Sequence, residues 1–297
     1  MYFNPALKRM GLSKDDKVLI IHADDVGVTQ SSVEAFQELS SFGTVTCGSA
    51  IIPSSWFPYA AKAYYENPDL DLGIHLAFNC EFETYLWRPI SNIDADSGII
   101  DEKGYFKQEA QGIMETARPE AIAKEAEYQI KLALNFGLKP SHADSHSLML
   151  MAPQFIKSYM ETCKEYDILP VLLNVYQDSA GDPYLQQMMS KYNAGKYIEE
   201  ARASGMAAAD NISFIPLNKL QNPEERLEAA KHIFDKLKPG TITHFSIHPL
   251  KDTPETRALK GNFQARISDY ENYMKKEIVD YIKNKGIILA GYRDIIS

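Results

Sequence analysis

Cysteine is scarce in this chain: three occur in 297 residues, and Cys47, Cys80 and Cys163 are widely spaced, with no C-x-x-C pair. An odd, scattered set supports neither a disulfide framework nor a thiolate zinc site, so reduced and buried thiols are expected. Long apolar runs are missing too. No stretch approaches the roughly 18 uncharged residues that a membrane span requires. Residues 1–17 lack the basic start, unbroken apolar stretch and small-residue cleavage site of a secretory signal, and the expected location is the cytoplasm. No internal repeat, low-complexity tract or Pro/Ser-rich linker interrupts the chain, which favours one domain over residues 1–297. A net charge of −9 argues against a broad nucleic-acid-binding surface, while leaving room for a local cluster that holds an anionic substrate.

What is present is an alternation. Short apolar runs near 17–23, 44–52, 71–77, 141–145, 169–175, 212–216, 241–247 and 286–290 read as buried parallel strands. Amphipathic stretches at 30–42, 56–66, 117–136, 153–166, 223–237 and 263–285 read as helices. Within 120–136, Ile122, Ala126, Ile130, Ala133 and Leu134 share a face opposite Lys124, Glu127 and Lys131, the spacing of a half-buried helix. Gly137 and Pro140 then supply its stop. This order predicts an α/β fold: a (β/α) barrel, TIM-like with allowance for distortion, of parallel strands with outer helices. Two stretches break the rhythm. Residues 79–116, with Trp87, Arg88 and little periodicity, are expected to form a lid or substrate wall. Residues 177–206, with Tyr184, Tyr192 and Tyr197, are expected to form a second wall or a subunit contact.

Six of the seven histidines stand at the ends of the apolar runs. In a parallel α/β sheet the carboxyl ends of the strands share one face, so residues remote in sequence converge there. Asp24 and Asp25 close the first run; as the chain turns, neighbouring side chains diverge, and one can bind a metal while the other faces a substrate. Gly27 permits the tight turn, and Thr29 or Ser31 can cap the next helix. His75 closes the run that begins at Leu72. Lys139-Pro140-Ser141 argues for an extended start before His142, so the chain is expected to turn near Asp144 and bring at least one of His142 and His146 to a metal. Singly, an aspartate pair is as readily a cap, and His75 a core histidine. Together, a carboxylate with two neutral imidazoles leaves positions open for water and substrate, as a hydrolytic metal needs. His248, before Pro249, is a candidate general acid able to protonate a leaving amine. His22, His232 and His244 are assigned structural places.

H-A-D-D-V-G-V-T at 22–29, G-I-H-L at 73–76, K-P-S-H-A-D-S-H at 139–146, I-H-P at 247–249 and G-Y-R-D at 291–294 together resemble the YdjC-like carbohydrate deacetylases. The motifs follow that family's order and span almost the whole chain. The resemblance implies a barrel related to other polysaccharide deacetylases and metal-dependent removal of acetyl groups from N-acetylated amino sugars or short oligosaccharides. It maps Asp25, His75 and His146 onto the metal ligands, Asp24 onto the base and His248 onto the proton donor. One divalent ion is expected: two imidazoles favour zinc, manganese or cobalt, and the family likeness admits magnesium. Trp87 and Tyr85 are expected to stack on a sugar, Arg88 to pair with an anionic substituent, and His142 to stand on the substrate side behind the ligands. The expected partners are a small carbohydrate and, by default, a second copy of the chain, with no nucleic acid and no membrane.

Two departures stand out. Val26 replaces a common Phe, which concerns packing. Ser147-Leu148-Met149-Leu150 replaces what is often a run of further histidines, which removes polar groups from the sugar site. Two rival readings are a metal-dependent phosphoesterase, which would want a second metal and more clustered ligands, and a silent sugar-binding protein on the same barrel, which would need neither base nor acid.

Overall fold

The computed structural model describes residues 3–172, 196–197, 199–200 and 209–296. Among them are eight strands: β1 (Lys17–Val26), β2 (Cys47–Ile51), β3 (Leu72–Leu76), β4 (His142–Ser145), β5 (Leu169–Pro170), β6 (Asn211–Phe214), β7 (Thr241–Ile247) and β8 (Ile287–Leu289). Each lies on one of the eight apolar runs. Every pairing is parallel, in the order β5-β4-β3-β2-β1-β7-β6, with β8 against β1. The sheet curls into a half-barrel with helices around it, the distorted (β/α) barrel that the alternation predicts. The distortion has a local cause. On one flank β7 follows β1 from Lys17 to Ala23; on the other, β8 takes Lys17–Leu19 and β2 takes over only from His22. A short last strand is thus wedged beside the amino-terminal end of β1.

Both faces of the sheet are covered, so the strands are buried along their length: Leu19, Ile20, Ile21, Ala50, Ile74, Ala143 and Phe245 have no exposed surface. Side chains of this kind contribute about 1.5–3 kcal/mol each when fully buried. Thr29 caps helix Gln30–Phe42 by accepting from the Ser32 N–H, which satisfies a donor that the first helical turn leaves open. One expectation needs correction. The stretch 263–285 is two helices, Phe263–Tyr273 and Lys276–Asn284, because Lys275 is extended (φ −83, ψ 135). The break lets the first helix bring Arg266 and Asp269 to the carboxyl ends of the strands while Ile278 and Ile282 of the second are buried in the core.

Segment 79–116 is tied down. Glu125, on helix Pro119–Asn135, accepts hydrogen bonds from the backbone N–H of Ile90 (2.9 Å) and Ser91 (2.8 Å) and from the Ser91 hydroxyl (2.6 Å). The second irregular stretch, 177–206, lies outside the described residues except for 196–197 and 199–200, and the expected strand at 169–175 is described only to residue 172. Cys47, Cys80 and Cys163 are free and buried. Among the described residues, no helix is long and apolar enough to cross a membrane.

Candidate active site

β1, β3 and β4 present their polar residues at their carboxyl ends. The pairing of β1 with β2 skips between Ala23 and Val26, and Asp25 adopts φ 60, a left-handed backbone that costs a non-glycine residue about 1–3 kcal/mol. This bulge turns the two neighbouring carboxylates apart. Asp25 is buried, with Oδ2 accepting from Arg266 Nη1 at 2.6 Å. Asp24 lies on the cavity side.

Asp25 Oδ1 stands 3.4 Å from His75 Nε2 and 3.2 Å from His146 Nδ1, and those two nitrogens are 3.2 Å apart. Ligands about 2.0–2.1 Å from a tetrahedral ion are separated by roughly 3.3–3.4 Å, so the triangle has the dimensions of three positions around one ion. Asp25 Oδ1 is also a buried acceptor without a hydrogen-bond donor, an expensive omission unless a cation satisfies it. The outer nitrogens are engaged: His75 Nδ1 donates to Asp144 Oδ1 at 2.7 Å and His146 Nε2 to Glu81 Oε2 at 2.9 Å. A carboxylate behind each imidazole fixes the tautomer that leaves the inner nitrogen bare and makes it a better ligand. These residues fit a divalent ion.

The electrostatics agree, because the site favours positive charge. Burial pushes both imidazoles down, yet Asp144 holds His75 well above its ordinary value, and Glu81 with Asp25 raises His146 to about 9. Burial raises the Asp25 carboxyl, but the Arg266 guanidinium together with His146 and His75 more than reverses it, so that Asp25 lies well below the usual range.

Beside this triangle, Asp24 Oδ1 meets His22 Nδ1 at 2.5 Å and Oδ2 faces His248 Nε2 at 3.7 Å. Burial raises the Asp24 carboxyl, but the His22 bond and the nearby imidazoles bring it below its ordinary value, so it is ionised at neutral pH. Burial also lowers His248, which Asp25 and Asp24 only partly counter, so this imidazole rests neutral. Its backbone N–H donates to Asp269 Oδ2 at 3.0 Å, while Asp269 Oδ1 accepts from Arg226 Nε at 3.0 Å and Nη2 at 2.8 Å.

All five residues, Asp24, Asp25, His75, His146 and His248, line a cavity of about 730 Å³. Asn79, Glu81 and Gln108 give it a polar wall, and Leu148, Phe214 and Ile215 an apolar one. Ser147 and Leu148, which depart from the further histidines the resemblance leads one to expect, stand in left-handed backbone (φ 53 and 55) and join this lining.

Trp87, Arg88 and His142, expected at the substrate, do not line the cavity. Trp87 is 3% exposed, and its indole N–H donates to the Asn79 carbonyl at 3.1 Å: it supports the wall from behind. Arg88 lies on the outer surface over the Tyr105 ring, 4.3 Å from its centre. His142 is sealed inside the barrel, with Nε2 2.8 Å from His22 Nε2. Glu81, Arg266 and Asp269 escaped the sequence reading. Glu81 sits in an aperiodic segment, and Arg266 and Asp269 lie on a helix with no motif to set them apart; the one available signal was an arginine and an aspartate on its core-facing side.

The sequence matches the YdjC-like protein family over residues 18–284. A carbohydrate deacetylase of Thermus thermophilus is 30% identical over 267 residues, covering 89% of this chain and 88% of that protein. A carbohydrate deacetylase of Thermoanaerobacter pseudethanolicus is 24% identical over 279 residues, or 93% and 98% of the two chains. A crystal structure from Enterococcus faecalis, described as a candidate cellobiose-phosphate cleavage protein, superposes with TM-score 0.75 at 22% identity, covering 94% of this chain and 99% of that one. At that identity the likeness concerns the fold.

Proposed function

The chain belongs to the YdjC-like family, and from that premise we propose that it is a metal-dependent carbohydrate deacetylase acting on N-acetylated amino sugars or short oligosaccharides. The observation that carries the reading is the convergence of Asp25, His75 and His146 on one cavity with Asp24 and His248. The names of the relatives support the carbohydrate and the acetyl group. Asp25, His75 and His146 would hold one divalent ion, which supplies a polarised acetyl carbonyl and an acidified water. A carboxylate with two imidazoles suits zinc, manganese or cobalt better than magnesium.

The chain's own residues account for the protons. Ionised Asp24 takes one proton from the attacking water at Oδ2, since Oδ1 is occupied by His22. Neutral His248, 3.7 Å from that oxygen, receives the proton and delivers it to the departing nitrogen. The new C–O bond replaces the C–N bond, so acetic acid and the amino sugar leave, and the acid's remaining proton passes to the amine or to solvent to give acetate. Arg266 keeps Asp25 ionised, while Asp144 and Glu81 hold the two imidazoles in the metal-binding tautomer.

The test is acetate release from N-acetylglucosamine oligomers, set against phosphate release from a generic ester. Acetate release is expected. Phosphate release alone would favour the phosphoesterase, and sugar binding with neither product would favour a silent binding protein. Asp24→Asn and His248→Ala should each lower kcat by about 10²–10⁴ while keeping metal. A variant with native kcat takes its residue out of the mechanism.

A further inference from the structure

His142 and the G-Y-R-D segment at 291–294 take no part in the steps above, and His22 enters them only by occupying Asp24 Oδ1, yet all belong to one chain of hydrogen bonds. It starts at the cavity, where Asp24 Oδ1 meets His22 Nδ1 at 2.5 Å. His22 Nε2 then lies 2.8 Å from His142 Nε2, and His142 Nδ1 lies 2.8 Å from Ser141 Oγ. Ser141 donates to Asp71 Oδ1, and Asp71 Oδ2 accepts the backbone N–H of Arg293 at 2.8 Å. Asp71 immediately precedes β3 and Ser141 immediately precedes β4, so the chain runs through the barrel from the carboxyl ends of the strands to the amino ends. His22 and His142 have no exposed surface.

The direction of the chain follows from its far end. Asp71 accepts at both oxygens, which commits the Ser141 proton, so Ser141 Oγ must accept from His142 Nδ1–H. His142 Nε2 is then an acceptor and His22 Nε2 its donor. At the near end, Asp24 Oδ1 is engaged by His22 Nδ1 at 2.5 Å. Asp24 is left with one occupied oxygen and one, Oδ2, turned to His248. Buried networks of this kind are favourable only when every member is satisfied.

The surroundings are shaped for it. A Cβ added to Gly73 would lie 2.6 Å from His142 Nε2 and Cε1, so G-I-H-L needs its glycine to admit the His142 ring. A Cβ at Gly291 would meet the Asp71 carboxylate and the Thr46 carbonyl. The rings of His244 and Tyr292 pack on the relay, 4.7 Å from His22 and 4.2 Å from His142. His244 is itself held by the Tyr292 hydroxyl and Ser246.

We propose that His22 and His142 are positioning residues that aim Asp24 Oδ2 at the reacting water, anchored through Ser141 by Asp71 and the backbone of Arg293. The inference rests on Asp24 serving as the base. Two measurements separate its failure from that of the deacetylase reading. Long-range ¹H–¹⁵N spectra of the intact protein should show His142 protonated at Nδ1 and bare at Nε2, whatever the substrate; the opposite tautomer overturns the directed chain. In acetate-release kinetics, His142→Leu should lower kcat by about 10- to 100-fold with KM and metal content near native. His142→Gln, which keeps one donor and one acceptor, should recover most of the loss. Native kcat in His142→Leu, or equal loss in both variants, overturns the positioning role. If His142→Leu fails to fold, Ser141→Ala removes one hydroxyl and should show the same split between kcat and KM, and native kcat in that variant counts against the proposal.

Discussion

Asp25 combines a left-handed backbone, a guanidinium on one oxygen and an unfilled acceptor at the other. Each feature is costly alone, and a cation bound at Oδ1 would offset the last. Asp25→Asn keeps the shape and removes the charge, so the variant should purify with little or no bound divalent metal by elemental analysis; full occupancy would take Asp25 out of the ligand set. It also leaves Arg266 buried without its closest counter-charge, and breaking such a pair typically costs about 3–5 kcal/mol. Trp87 shows how residue type alone can mislead. A tryptophan beside an arginine in an aperiodic segment suggests a sugar platform, but its ring packs against Phe82 and Tyr85 inside the fold. Trp87→Ala should therefore cost roughly 3–5 kcal/mol in urea unfolding, as a core truncation does. An unchanged stability together with weakened oligosaccharide binding would restore the platform role.

Elements were legible where one physical rule decided them. Eight apolar runs became eight parallel strands because both sheet faces are covered, and Lys139-Pro140-Ser141 did lead into an extended β4 that turns after Ser145. Helix 263–273 was hidden in a longer amphipathic stretch, because the break at extended Lys275 has no proline or glycine to mark it in the sequence. Its Asp269 holds both Arg226 and the His248 N–H, so Asp269→Asn should lower stability by about 3 kcal/mol and lower turnover more than metal content. Native stability would show the pair to be dispensable. Glu125, the anchor of segment 79–116, predicts a pH effect. Burial raises its carboxyl above the ordinary 4.5, against the pull of Ser91 and Ile90, so the native state holds the proton more tightly than the unfolded chain. That stabilisation is complete below pH 4.5 and is lost as pH rises through the raised native value. Wild type should thus lose stability relative to Glu125→Gln as pH climbs from there, and parallel urea midpoints for the two proteins would contradict it.

At the scale of the whole molecule, curling the sheet brings the ends of β1, β3, β4 and β7 together, and this is why motifs about 50 to 100 residues apart could be assembled in advance. The sequence exposed the strand-end histidines and aspartates because strand ends carry polar residues for chemistry, whereas their supporting carboxylates and arginine came from loops and an outer helix with no repeating signal. The interior relay was visible as letters in three motifs and interpretable only once the barrel placed them in line. The central claim is that acetate release depends on one ion held by Asp25, His75 and His146. Its most direct test is acetate release from N-acetylglucosamine oligomers by the protein stripped with a chelator and then resupplied with zinc, manganese, cobalt or magnesium, alongside Asp25→Asn. Activity should vanish on stripping, return with about one equivalent of ion, and stay absent in Asp25→Asn; undiminished acetate release from protein with no detectable metal would contradict the account.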